Sequence, residues 1–190
     1  PEHGAVGTSG DLGQLAHIAL ALIGEGDVLY RGKRTSATHA LRSAGITPYV
    51  LGPKEGLSLI NGTSMMSGIG ALLIRDAERA ITIAVRTGVC ALELVRGFSD
   101  ILDASLHRLR PHHGQNHIAH MMRDLLADSK RMRERDQLEG IQIRKETYTT
   151  DIILQEVYSM RCTPQILGPV YDVVQTTRGT VQTEINSVTD

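Results

Sequence analysis

The run from Ser64 to Val95, SMMSGIGALLIRDAERAITIAVRTGVCALELV, contains no proline and is dominated by Ile, Leu, Ala, Val and Met. Nothing in it removes a backbone donor, so it predicts one long helix, and its sparse polar residues predict burial on most sides. Arg75, Asp76, Glu78, Arg79 and Arg86 fall in its middle. Charges in that position argue against a bilayer span. Working outward, Leu12, Leu15, Ala19, Leu22 and Ile23 recur at helical spacing, and Gly24 and Gly26 end that run. Asp11 stands at its N-terminal edge, where a carboxylate caps free amides. Val28–Arg34 reads as a short hairpin around Gly32, and Ser36–Ser43 as a short helix closed by Gly45.

Downstream, Ile118, Met121, Met122, Leu125 and Leu126 mark another amphipathic helix. Ser129–Lys145 is charge-dense and without period, and reads as an exposed connection. Ile152–Met160 and Ile166–Val174 look helical, separated near Pro164. The expectation is an all-α, long-helix bundle with at most one small hairpin.

The chain has 190 residues, enough for a core, and length alone suggests one domain. Its formal net charge is −1, which gives no electrostatic case for nucleic acid or an anionic membrane. Aromatic residues make up only 3%, which argues against stacking platforms for bases or sugars. Cys90 and Cys162 are too few for a disulfide framework and lack metal-ligand spacing, which fits a reducing cytosol. Cys90 reads as a small core residue. The glycine-rich start at Pro1 and the polar stop at Asp190 suggest a fragment of a larger catalytic domain, 1–190.

The chemistry concentrates in His3-Gly4-Ala5-Val6-Gly7-Thr8-Ser9-Gly10-Asp11-Leu12, where glycines surround one serine just before a helix. A bare Thr-Ser-Gly is most often a turn. An anion cradle at a helix N-terminus is a second reading, but neither a Gly-Lys-Ser/Thr ending nor a strand-led dinucleotide pattern supports it. The third is backbone cyclisation. The Gly10 nitrogen, unobstructed by a Cβ, attacks the Thr8 carbonyl, and loss of water closes an imidazolone. Loss of the Ser9 hydroxyl then leaves an exocyclic methylidene, an electrophile that no side chain supplies. Asp11 is suited to hold the turn and move protons.

This segment resembles the cofactor-forming motif of the aromatic amino acid ammonia-lyases and aminomutases, with Thr8 where most members carry Ala. The resemblance continues through His17-Ile18-Ala19, Lys54-Glu55-Gly56-Leu57-Ser58-Leu59-Ile60-Asn61-Gly62-Thr63, and Arg110-Pro111-His112 with Gly114-Gln115. It goes on through Gln155-Glu156-Val157-Tyr158-Ser159-Met160-Arg161-Cys162 with Pro164-Gln165, and ends on Glu184, Asn186-Ser187-Val188 and Asp190. It implies a methylidene-imidazolone made from Thr8-Ser9-Gly10, an aromatic amino acid substrate (Phe, Tyr or His), no metal, and elimination of ammonia to an arylacrylate. An aminomutase using the same cofactor is the alternative. It also implies a cytoplasmic homotetramer with shared active sites, and a tyrosine base on a segment preceding this chain.

Gln155, Tyr158 and Arg161 are spaced by threes, which on a helix makes each the neighbour of the next. By residue type the group is either a solvated polar edge or an amino acid receptor, since Arg offers a planar fork to a carboxylate. The resemblance assigns the substrate carboxylate to Arg161, with Tyr158 and Gln155 lining the site. It assigns to Asn61, otherwise a turn residue before Gly62, a hydrogen bond to the cofactor ring or the substrate amine. His113, His117 and His120 fall at helix-like intervals, but no Glu or Cys completes a metal set, so they read as a polar helix face. A non-catalytic helical assembly subunit is the rival from another class. Ser9, Gly10, Asn61, Tyr158 and Arg161 together count against it, because a scaffold needs none of them.

Overall fold

A computed structural model describes residues 12–135 and 155–188; Thr8, Ser9, Gly10 and Asp11 lie outside the described residues. The architecture is mainly α, as expected. The chain divides into two compact units, Pro1–Leu73 with Thr180–Asp190, and Ile74–Gly179.

In the first unit, helix α1 (Leu12–Leu22) is followed by strands β1 (Asp27–Tyr30) and β2 (Lys33–Ser36), then α2 (Ala37–Ser43) and α3 (Glu55–Ile60). Helix α1 stops because Gly24 adopts φ +88°. This lets Gly24 N–H bond to the Ala21 carbonyl and Glu25 N–H to that of Leu20, satisfying carbonyls the helix cannot reach. Gly45, at φ +71°, ends α2 the same way, with bonds from Gly45 to Arg42 and from Ile46 to Leu41. The start of α2 is capped by the Ser36 hydroxyl, which accepts from His39 N at 3.3 Å. The hairpin is antiparallel with Tyr30 opposite Lys33. Its turn residues Arg31 and Gly32 both have positive φ, 49° and 77°, the backbone sense that matches the twist of paired strands.

Helix α4 (Ser64–Leu94) is the long helix the sequence predicts, and its residues are shared between the units. The run Glu55–Leu94 is long and apolar enough to cross a membrane by length and composition. Yet the non-helical Asn61–Thr63 step interrupts it, and Arg75 follows only eleven residues into α4. Burial of α4 departs from expectation. Ile81, Val85, Val89 and Leu92 are buried, whereas Met66, Ile69, Leu72, Leu73 and Ile83 are exposed. Cys90 is likewise exposed instead of sitting in the core, because the buried stripe follows the helical period of Val85, Val89 and Leu92 and passes it by.

The second unit continues with a 3₁₀ turn (Ser99–Leu102), α5 (Ala104–Arg108), α6 (His113–Leu126), the one-turn α7 (Tyr158–Arg161) and α8 (Thr163–Ile185), whose residues, like those of α4, fall in both units. Its core joins the buried face of α4 to Ile101, Leu102, Ile118, Met122 and Leu126. Helices α6 and α8 meet backbone to backbone. A Cβ on Gly114 would stand 2.1 Å from the Gly168 carbonyl oxygen, so only glycine fits there. Pro164 falls in the first turn of α8, where its missing N–H costs no helical bond.

The described part of the connection, Ser129–Arg135, is exposed at Lys130, Arg131 and Glu134, as expected, and is also tied to the core through Arg133 and Arg135. Arg133 pairs with Phe98 as an isolated parallel bridge. The Arg133 and Arg135 guanidinium groups lie 4.3 and 4.1 Å from the centre of the buried Phe98 ring. The expected helix Ile152–Met160 is, in its described part, extended at Val157 and helical only from Tyr158 to Arg161.

Candidate active site

The second unit holds the carboxylate-binding candidates. Val157, at φ −63° and ψ 152°, opens the short helix α7, whose backbone closes through Arg161 N to the Val157 carbonyl at 3.1 Å and Cys162 N to the Tyr158 carbonyl at 2.9 Å. Thr163 pins the junction to α8, its hydroxyl donating to the carbonyls of Ser159 and Met160 at 3.0 and 2.9 Å. On this turn Arg161 folds its guanidinium over the Tyr158 ring, 4.1 Å from the ring centre, a geometry in which the ring face attracts the cation.

No carboxylate pairs with Arg161 among the described residues, and its buried Nε has no hydrogen-bond partner. A buried donor left unpaired costs about 1–3 kcal/mol, more for a charged group. The guanidinium therefore keeps donor capacity that no described residue takes up. Tyr158 is 70% exposed, so the stacked pair lies at the protein surface. Gln155 is exposed and precedes the helix. The structure thus groups Tyr158 with Arg161 on one turn and leaves Gln155 off it, correcting the single helical surface that the spacing suggested.

Glu156 was not singled out by the sequence. It is 6% exposed, and its Oε1 accepts from Phe98 N at 2.5 Å. Its other oxygen, Oε2, is buried and has no partner among the described residues. The only sequence signal was a carboxylate between two site residues; its partner is 58 positions away.

The histidines expected as a polar face do form one. His113 Nδ1 meets Asp172 at 3.3 Å, and His120 meets Asp124 at 3.3 Å. His117 stacks on Tyr171 with ring centres 4.3 Å apart; burial, with His113 and His120 beside it, holds it below the ordinary histidine range. Among the described residues no group of three His, Cys, Asp or Glu side chains is arranged to hold a metal ion. His107 has a different task. It is 1% exposed, with Nε2 3.0 Å from the Ile101 carbonyl and Nδ1 3.0 Å from Gln115 Nε2. The carbonyl can only accept and the amide nitrogen only donate, so the ring is neutral with its proton on Nε2. Burial pushes its pKa down in agreement.

An open groove of about 410 Å³ runs beside α7, lined by Ala84, Gly88, Ala91, Met160, Ile166 and Leu167 among others. Neither Tyr158 nor Arg161 lines it and it holds no charge, so it is not the carboxylate site. In the first unit, Asn61 closes α3, its backbone N–H bonding the Leu57 carbonyl at 2.9 Å. Its side chain is exposed and has no hydrogen bond among the described residues. Two residues on, the Thr63 hydroxyl donates to Glu184 at 3.0 Å, joining the second and last of the motif blocks.

These features belong to a known class. The family profile "Aromatic amino acid lyase" matches residues 1–190, and the chain belongs to that family. It is 41% identical to a histidine ammonia-lyase of Alkaliphilus metalliredigens over its whole length, covering 35% of that protein. It is 42% identical to a histidine ammonia-lyase of Koribacter versatilis, covering 34% of it. Among solved structures it resembles the phenylalanine aminomutase of Pantoea agglomerans, with a TM-score of 0.91, 36% identity, and coverage of 98% of this chain and 37% of that one. It also resembles the tyrosine aminomutase of Streptomyces globisporus, with a TM-score of 0.90, 37% identity, and coverage of 97% of this chain and 36% of that one. The chain therefore spans about a third of the length of the curated relatives it matches.

Proposed function

We propose that the protein carrying this chain is an ammonia-lyase that converts an aromatic L-amino acid into its arylacrylate, with histidine the first substrate to test. The observation that carries the reading is Arg161, a cation stacked on Tyr158 with a buried, unpaired Nε. Histidine comes first because the relatives 41 and 42% identical are named for it.

Thr8, Ser9 and Gly10 fit a methylidene-imidazolone by their chemistry: Ser9 carries the hydroxyl to be lost, and Gly10 a nitrogen with no Cβ in the way. The exposed, unengaged carboxamide of Asn61 is a suitable partner for such a ring or for the substrate amine. Once formed, the group supplies an electrophile for that amine. The remaining work belongs to ordinary side chains. Arg161 takes the substrate carboxylate in its guanidinium fork, Tyr158 holds the plane of that fork, and Gln155 hydrogen-bonds on the exposed side. Asp11 assists proton movement during ring formation.

The test has two readouts. Intact-mass analysis of the full-length protein should give a deficit of two waters that Ser9→Ala abolishes, and arylacrylate should form from histidine, phenylalanine or tyrosine. Active protein of unmodified mass would sink the cofactor assignment. The likeness to two aminomutase structures supports a second reading, in which the amine returns to the β-carbon. Chromatography of the products for a β-amino acid separates the two. We also assign the enzyme to the cytoplasm as a homotetramer with shared active sites. The exposed Met66, Ile69, Leu72 and Leu73 on α4 support association, and a fully active monomer in light scattering would contradict it.

A further inference from the structure

We propose that Glu156 is the positioning residue of the carboxylate site, acting through Arg161; this rests on the reading of Arg161 given above. A carboxylate 6% exposed is out of place unless its oxygens are engaged. Glu156 engages one: Oε1 accepts from Phe98 N at 2.5 Å, while Oε2 is buried and has no partner among the described residues. That bond ties the residue just before Val157 to the turn leaving α4. Val157 is the residue from which α7 starts, since its carbonyl accepts from Met160 N at 3.0 Å and Arg161 N at 3.1 Å. The place of Arg161 is thus set one turn downstream of the Glu156 clamp.

The turn that receives the clamp is itself built to order. Arg96 takes φ +53°, so that Gly97 N–H reaches back to the Leu92 carbonyl at 2.8 Å. Phe98, the donor, is fully buried beneath two guanidinium groups. Gly97 keeps the passage open. A Cβ there would lie 3.0 Å from a Leu92 methyl and 3.3 Å from Glu156 Oε1, so a larger residue would press on the carboxylate. A loop held only to cover the core needs none of this. An acceptor buried two residues before Tyr158 is what fixing the Tyr158–Arg161 turn requires, because a displacement of about 1 Å in a positioning group can cost about 100-fold in rate.

The experiment compares Glu156→Ala, Glu156→Gln, Arg161→Met and Glu156→Ala with Arg161→Met in the full-length protein, with steady-state kinetics on the substrate it turns over. Glu156→Ala should lower kcat/KM at least about 10-fold, mainly through KM, because the carboxylate anchor is displaced. Glu156→Gln keeps an acceptor oxygen for Phe98 N and should stay within about threefold of wild type. In the Arg161→Met background, Glu156→Ala should cost less than about threefold, since the group it positions is gone. Full additivity of the two losses would overturn the proposal, as would a Gln variant impaired as deeply as Ala. If Glu156→Ala fails to fold, Glu156→Gln decides by itself: a loss of about 10-fold or more in kcat/KM would overturn the proposal. If Arg161→Met itself stays within about threefold of wild type, the carboxylate-anchor reading fails instead.

Discussion

The two compact units achieve order by different means. In the first, the described residues bury little beyond Leu15, Ala37 and Ala40, and definition comes from backbone devices such as the Gly24 and Gly45 terminations, the Ser36 cap and the Arg31–Gly32 turn. In the second, Val85, Leu92, Phe98, Ile118 and Met122 are fully buried, and polar groups such as His107, Gln115 and Glu156 are fixed inside by named partners. A unit set by its turns presents residues like Asn61 at the surface. A unit with a packed interior can hold a cation like Arg161 with part of its donor set out of water.

The largest contrast between them should appear along one helix. Leu92→Ala removes a fully buried side chain from the second unit and should cost about 2–5 kcal/mol in denaturant unfolding. Leu72→Ala, on a position 56% exposed, should change unfolding of the dissociated chain by less than about 0.5 kcal/mol. In the proposed tetramer the same Leu72 variant should weaken association. Equal losses for both variants in the dissociated chain would mean that the two ends of α4 are packed alike.

Gly114→Ala should come next. The built Cβ position lies 2.1 Å from the Gly168 carbonyl oxygen and 2.8 Å from the Asp172 carboxyl carbon, so α6 and α8 must separate. Overpacking of this kind typically costs about 1–3 kcal/mol. It should also loosen the bond from Gly114 N to Asp172, now 3.0 Å. A melting temperature unchanged from wild type would mean that the helices part freely.

The sequence made local features readable and left long-range ones hidden. The end of α1 was legible because Gly24 carries its own conformational reason, and the hairpin because Gly32 does. The long helix was legible from the absence of a breaker over residues 64–95. Its burial was not, because hydrophobicity alone does not say which apolar face finds a partner within the same unit. Residues 152–160 look helical by composition. Just before the described start at Tyr158, Glu156 accepts a hydrogen bond from the Phe98 backbone amide 58 positions away, which no local period encodes. Likewise the arginines of residues 131–135 read as solvated charge until Phe98 is seen beneath two of them. Among the candidate site residues, the spacing of Tyr158 and Arg161 matches their stacking on one turn, while Gln155 precedes the helix that the spacing placed it on.

Between pH 7.5 and pH 5.5, acid should act mainly on the second unit, which holds His107 and His117. Burial holds the His107 pKa below the ordinary histidine value, so the unfolded chain takes up a proton before the folded one does. The contribution of His107 is therefore complete above about pH 6.5, the unfolded value. It falls as the pH drops below that, and the loss from this group levels off once the folded pKa is passed. While the two states differ by one proton the slope is about 1.4 kcal/mol per pH unit. His117, also held down, adds a contribution of the same sign. His107→Gln should thus reduce, without removing, the difference between denaturation at pH 7.5 and pH 5.5. An unchanged pH difference would remove His107 from the account.

The smallest effect should come from the most conspicuous ion pair of the first unit. Arg34 donates to Asp27 Oδ2 through Nε at 3.0 Å and through a terminal nitrogen at 2.8 Å. The two residues bracket the hairpin, one on each strand, and their side chains are 79% and 52% exposed. In water the attraction is largely offset by hydration and by the entropy of holding two side chains still, so such pairs contribute about 0.2–1 kcal/mol. If turns and caps order this unit, Arg34→Ala should stay within that range and the difference should shrink as salt is added, since exposed charges are screened. Gly32→Val, which forces a β-branched side chain to φ +77°, should cost more. The measurement is denaturant unfolding of both variants at low and high salt. An Arg34→Ala loss larger than that of Gly32→Val would mean that side-chain charge, and not backbone geometry, holds the hairpin together.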